Sequence, residues 1–555
     1  MKMKFIGAHS GVTGSCTLLF ESRTNTSFLV DCGGFIGGND AEWKNAQRFP
    51  FDPVELKFVL LTHAHFDHCG LLPKLYKEGF VGQVYCTRAT AKLARIILLD
   101  AQKHSRLYDR DDVNRISFKY VDDDPRFGWG KPISLVDGLR VNFFRSSHIV
   151  GATSIQVNWG VTPDSRGKSI HFSGDIGPNF DENCYLPLMK SNQKPFPSTD
   201  YLVVESTYGG RNREIDYSSS SIRRQKLKEN IEDVVFKNNG KLLLPSFSMH
   251  RAQELLADLN YVVEHMLDKD LADTFFAGKE QKSARLKIAF DSKMLSQVSK
   301  VYANELLARN QRSGKLLYAN ERLFEEFSDI ADVLQSGYKR FTNINGFIKF
   351  VQHEETKKKY DTQKLKEMLD RRIAESNIIV ASGGMCETGP IIDYLKDIGD
   401  NVNNAIVFTG FLSEGSRGLR ILNGEEPAIK AKIFNMSSYY SGHADEAGVL
   451  KYIFDLNGYA QDPKMMTKII INHGNHQSKL AMADAINARK SQANKPERLV
   501  GDVFPLNGEK LWLDLDEGQF IEEEVRFDRS QIVKLDEKVT RLEEKINLIL
   551  DKLTG

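Results

Sequence analysis

The run Thr62-His63-Ala64-His65-Phe66-Asp67-His68 constrains this chain more than any other stretch, because it packs three imidazoles and a carboxylate close behind the apolar segment Phe58-Val59-Leu60-Leu61. Imidazole nitrogen and carboxylate oxygen suit Zn²⁺ and similar borderline cations, and a loop leaving a buried strand can aim several such groups at one point. His63 and His65, two apart, share one side of an extended segment, whereas Asp67 and His68 fall where the chain turns towards a helix through Leu71 to Leu75. That spacing can serve two metal ions.

The residues before 209 alternate short apolar, β-branched runs with Gly, Asn and Asp, the pattern of a strand-rich domain with helices between. Chemistry-bearing side chains recur where the runs end. Asp31 follows Phe28-Leu29-Val30, His148 follows the run from Val141 to Phe144, Asp175 follows Ile170-His171-Phe172, and Glu205 follows Val203-Val204. Such strand ends can meet along one edge of a sheet.

From 209 to 424 charged helical stretches alternate with apolar strands at Lys241 to Leu244, Asn377 to Val380 and Asn404 to Phe408, which predicts a parallel α/β unit. Its strands run into small or polar loops. Gly384 to Gly389 and Gly410 to Gly415 have the glycine gap of a nucleotide-binding P-loop, but Pro390 and Ser416 stand where its lysine belongs, so that function is rejected. From 425 to 515 short strands return, two of them leading to His443 and His473, and 516–555 is read as a tail. In that tail Ile532, Leu535, Val539, Leu542, Ile546, Ile549 and Leu553 form an a/d seam, which predicts a terminal heptad helix that either joins two subunits, the homodimer expected here, or packs back onto its own chain.

With 75 basic and 74 acidic residues the chain is no global polycation, so nucleic acid would have to be held by a local cleft. The six cysteines lack CxxC spacing and read as reduced core thiols of a cytoplasmic protein. No apolar run approaches the ~20 residues of a membrane span, and none near Met1 reads as a secretory signal.

The ordered set Asp31, His63-Ala64-His65-Phe66-Asp67-His68, His148 and Asp175 resembles the metallo-β-lactamase superfamily. Glu205-Ser206-Thr207-Tyr208-Gly209, Arg251-Ala252-Gln253-Glu254, His443 and His473 further resemble the motifs of its β-CASP ribonucleases, the group of the eukaryotic pre-mRNA 3′-end-processing endonuclease and its prokaryotic relatives. The resemblance implies an α/β protein: an αββα lactamase fold over 1–208 and 425–515, with the β-CASP domain of 209–424 inserted. It implies two Zn²⁺, or Mn²⁺, one held by His63, His65 and His148 and the other by Asp67, His68 and His473, with Asp175 bridging and Asp31 behind the ligands. Asp67, Glu205 and His443 would be catalytic, with a metal-bound hydroxide as nucleophile and the Glu205–His443 pair protonating the leaving oxygen.

Two positions depart from the family's usual pattern: His250 stands where Gly often precedes the motif arginine, and Asn475 where an acid commonly follows His473-Gly474. Both are expected to alter substrate contacts. No separate RNA-binding module precedes the lactamase-like part, so grip on RNA is expected from the core or from partners. Arg211, Arg251 and Arg417 are candidate phosphate contacts, whereas Lys357-Lys358-Lys359 reads as a solvated helix face. The expected function is hydrolysis of RNA phosphodiester bonds. Alternatives are a DNA nuclease of the superfamily, whose members resemble this set but carry Val where His473 stands, a small-molecule metallohydrolase, and a non-enzymatic RNA-processing subunit, whose relatives lose the ligands retained here.

Overall fold

A computed structural model describes the chain except residues 39, 163–164, 179–198, 215–216, 218, 278–285, 319–361, 457–465, 493–499, 507–511 and 522–555. Three sheets organise it. An eight-stranded sheet runs in the order Gln519–Ile521, Trp512–Asp514, Lys2–Phe5, Thr17–Glu21, Thr26–Val30, Leu56–Leu60, Gln83–Cys86 and Phe118–Tyr120. A seven-stranded sheet runs Val500–Pro505, Thr467–Asn472, Tyr201–Glu205, Lys168–Phe172, Thr153–Trp159, Leu139–Arg145 and Pro132–Val136.

These two sheets share one apolar core, to which Leu29 and Leu60 contribute from the first and Val141, Ile155, Ile170 and Val203 from the second. The twofold alternation of a strand decides which residues reach it. Val203 faces that core, while its neighbours Leu202 and Val204 face the opposite way, against Val449, Ile453, Met482 and Ile486 of the helical segments that cover the outer surface. Being covered on both faces, Tyr201–Glu205 is buried at every position, as its apolar run Tyr201 to Val204 fits. The layering is αββα.

The third sheet is five-stranded and wholly parallel, in the order Ile288–Asp291, Ile378–Ser382, Leu242–Ser246, Ala405–Phe408 and Lys432–Asn435. Leu243, Ile379 and Ile406 pack under Ile391, Leu395 and Ile398 of one helix. On the other face Leu242 and Leu244 meet Leu227, Leu255 and Leu259. Arg88 and Lys92, on the lactamase-side helix Arg88–Ala101, join this unit through Glu305, with Lys92 Nζ 2.7 Å from its Oε1 and Arg88 Nη2 3.3 Å from its Oε2.

Two boundaries differ from the sequence expectation. Lys432–Asn435 pairs with Ala405–Phe408, so the inserted sheet continues past 424. Gln519–Ile521 pairs with Trp512–Asp514, so the sandwich continues past 515. In both cases the strand is too short for its pattern to say which sheet it joins. The heptad seam and the Lys357 run lie outside the described residues. Cys16, Cys32, Cys69, Cys86 and Cys386 are buried free thiols, and among the described residues no helix is long and apolar enough to cross a membrane.

Candidate active site

Strand register assembles the site. Glu205 is opposite Asn472 in the parallel pair, which puts Glu205 and His473 side by side where two neighbouring strands end. Asp31, just beyond Val30, is held at φ 61°. Its Oδ1 accepts hydrogen bonds from the Thr62 amide at 2.8 Å and the Thr62 hydroxyl at 2.9 Å. Its Oδ2 lies 2.7 Å from His68 Nδ1. The carboxylate thereby fixes the imidazole and turns its Nε2 inward, the supporting role expected behind a ligand histidine.

Two donor sets converge from these strand ends. In the first, His65 Nδ1 lies 3.1 Å from His63 Nε2 and 2.9 Å from His148 Nε2, while Asp175 Oδ2 lies 3.5 and 3.6 Å from those Nε2 atoms. His148 is oriented by donating from Nδ1 to the Gly442 carbonyl at 2.6 Å. In the second, His473 Nε2 is 3.2 Å from His68 Nε2 and 3.4 Å from Asp67 Oδ2, and Asp175 Oδ1 is 3.3 Å from His68 Nε2. Within each set the ligand-type atoms all lie within 4.8 Å of one another. Asp175 thus offers one oxygen to each set.

These donors fit divalent cations. Asp175 is 2% exposed, and its Oδ1 makes no hydrogen bond, so a buried anionic oxygen is left facing imidazoles. Burial, reinforced by neighbouring imidazoles, holds the pKa of His63 and His148 well below the ordinary histidine value. Burial likewise brings His65 to about 4. All three are therefore in the neutral form that ligates metal. His68 goes the other way: burial opposes its charge, but Asp175 and Asp31 outweigh it.

Beside the first set, His443 Nδ1 lies 3.1 Å from Glu205 Oε2, and its Nε2 lies 3.9 Å from Asp175 Oδ2. Glu205 is itself fixed, with Oε1 accepting from the Ile176 amide at 2.6 Å and Oε2 from the Thr207 hydroxyl at 2.5 Å. Burial disfavours the imidazolium of His443, but the Glu205 carboxylate prevails and raises its pKa to about 10. Arg213 braces the loop by donating to the His443 carbonyl. Carboxylate and imidazole thus form a hydrogen-bonded pair beside the first donor set.

A cleft of about 750 Å³ opens from His65, His148 and His443 towards the inserted unit, lined there by Phe247, His250, Arg251, Phe411 and Tyr440. Of the predicted phosphate contacts, Arg211 lines it and is exposed. Arg251 lines it but is buried, paired with Glu254 and stacked 5.4 Å from the Tyr440 ring. Arg417 is not among its lining residues, and its Nε lies 3.5 Å from Glu426 Oε2.

The two departures from the family pattern acquire reasons. His250 sits at φ 67°, ψ −56°, and the Arg251 amide donates across it to the Met249 carbonyl at 2.8 Å, a strained γ-turn that glycine would enter freely. Tyr302 at 3.0 Å and Glu254 at 3.2 Å hold the histidine there. Asn475 accepts from the Ser478 amide at 2.8 Å, capping the first turn of helix His476–Gln492. Phe247 and Phe411 stand in strand-end loops that the sequence marks as small and polar, but no role for either ring was expected from it.

A sandwich of this layering, with histidine and aspartate donor sets along its strand ends, defines a metalloprotein of the metallo-β-lactamase type. Residues 10–142 match the metallo-β-lactamase superfamily and residues 252–421 match the Beta-Casp domain. The chain belongs to the β-CASP family of that superfamily. It is 29% identical over 511 residues to Ribonuclease TTHA0252 of Thermus thermophilus, covering 89% of this chain and 98% of that one. It is 25% identical over 509 residues to Transcription termination factor FttA of Methanocaldococcus jannaschii, covering 88% of this chain and 69% of that one.

Proposed function

We propose that this protein is a metal-dependent ribonuclease that hydrolyses internal RNA phosphodiester bonds in RNA processing or decay. The observation that carries the reading is the position of Asp175, whose two oxygens serve two donor sets while the Glu205–His443 pair stands beside one of them. A ribonuclease among the relatives supplies the substrate class.

His63, His65 and His148 would hold one cation and Asp67, His68 and His473 the other, with Asp175 common to both and Zn²⁺ or Mn²⁺ as occupants. When bound, such a pair supplies Lewis-acid activation of water and neutralises charge growing on the phosphoryl oxygens. Asp31 keeps His68 in the tautomer and orientation this requires. Glu205 keeps His443 protonated and aims its Nε2 towards the reacting centre, where it gives a proton to the departing ribose oxygen. Arg211 and the loop braced by Arg213 border the cleft through which the strand enters.

The test is incubation of metal-loaded protein with end-labelled RNA, the matching DNA and a thioester. Cleavage of RNA alone is expected, and a 5′-blocked RNA should still be cut internally. Preferential cleavage of DNA or of the thioester overturns the reading, as does metal-loaded protein that cuts nothing.

A further inference from the structure

Phe247 follows the apolar strand Leu242–Ser246 in a turn rich in serine, yet the residue remains 37% exposed. It stands on a wall shared by two cavities: the catalytic cleft of about 750 Å³ and a second cavity of about 650 Å³ over the carboxyl ends of the parallel strands. Ligands of open parallel sheets bind at that edge. The second cavity is lined by Ser246, Ser248, Ser382, Met385 and the loop to Pro390, and the buried Ser248 hydroxyl makes no hydrogen bond.

The ring is seated rather than loose. A Cβ on Gly410 would come within 2.8 Å of it, and one on Gly384 within 3.0 Å, so both loops approach it by backbone alone. Its own carbonyl is fixed by the Ala252 amide at 3.2 Å and the Ser246 hydroxyl at 3.1 Å. Phe411, adjoining Gly410, is 55% exposed and lines the catalytic cleft as well. A partly exposed ring held in place on the wall of a cleft is what an unpaired base stacks on.

We propose that Phe247 is a base-stacking platform for single-stranded RNA, joining the catalytic cleft to the second cavity over the sheet edge, with Phe411 flanking the path. This deepens the ribonuclease reading and rests on it. A stacked base fixes the register of the strand, so Phe247 determines which phosphodiester reaches the metal-binding residues.

The experiment is a binding cycle on the full chain in chelator, where RNA is held but not cut. Fluorescence anisotropy is measured for a single-stranded RNA and for copies carrying one abasic nucleotide at successive positions, with wild type, Phe247→Ala and Phe247→Tyr. Phe247→Ala should weaken binding of intact RNA roughly ten-fold or more. At one position the abasic site should cost wild type and Phe247→Tyr the same factor while costing Phe247→Ala nothing. Additive losses at every position mean the ring only supports the fold, and overturn the proposal. Binding losses equal for single-stranded and duplex RNA overturn it too. Failure of metal-loaded wild type to cut RNA would count against the ribonuclease reading instead, leaving the binding cycle interpretable.

Discussion

His443 Nε2 lies 3.9 Å from Asp175 Oδ2 while its Nδ1 is held 3.1 Å from Glu205. One ring therefore connects the carboxylate common to both donor sets with a carboxylate belonging to neither. The roles separate by substitution.

Asp175→Ala should lose both metals and all cleavage, because removing the shared carboxylate leaves two like charges without their common anion. Metal analysis of the purified variant together with end-labelled RNA measures both. Near-stoichiometric zinc with full activity would refute the bridging role.

His443→Ala should keep its metal content while kcat falls by roughly 10²- to 10⁴-fold, the range for losing a positioned acid. A substrate with a better leaving group than a ribose hydroxyl should recover much of that loss. The raised pKa of about 10 means the ring is charged at neutral pH and gives up its proton as pH rises, so kcat should decline on the alkaline side in wild type and lose that limb in the variant. A drop in bound metal would make His443 a ligand.

Asp258→Ala should destabilise the inserted unit by about 3 to 5 kcal/mol. The carboxylate lies 2.6 Å from Arg223 Nε, 2.9 Å from Arg224 Nε and 2.9 Å from the Tyr440 hydroxyl, all of them buried. Its removal takes the shared carboxylate from two buried guanidinium groups. Denaturant unfolding reads the loss, and an unchanged midpoint would mean water enters to replace the anion.

Deleting residues 530 to 555 should give a monomer by light scattering that retains its metal, since the seam from Ile532 to Leu553 follows all proposed ligands. A deletion that stays dimeric places the interface on the folded body. One that unfolds makes the helix part of the core.

That the histidines and aspartates of the two donor sets would come together was legible because a local run carries most of them and the others terminate recognisable strands. What resisted reading was everything that depends on which elements become neighbours. The strand Lys432–Asn435 looks the same whichever sheet it joins, and only its pairing with Ala405–Phe408 assigns it. Arg417 sat in a glycine-rich loop that suggested phosphate, but a later turn brings Glu426 onto it. The exposure of Phe247 was not legible, because an aromatic after an apolar strand ordinarily joins the core and the loops of Gly384 and Gly410 that approach it come from distant strands.

The strand Thr467–Asn472 lies between Tyr201–Glu205 and Val500–Pro505 in its sheet, and His473 emerges from its end. Sheet closure and the second donor set therefore wait on a segment synthesised long after the histidine run at 63 to 68. A nascent or prematurely terminated chain would expose the early histidines with neither His443 nor His473 to complete them. The order of synthesis therefore sets the second donor set to come together only after residue 473 has been added.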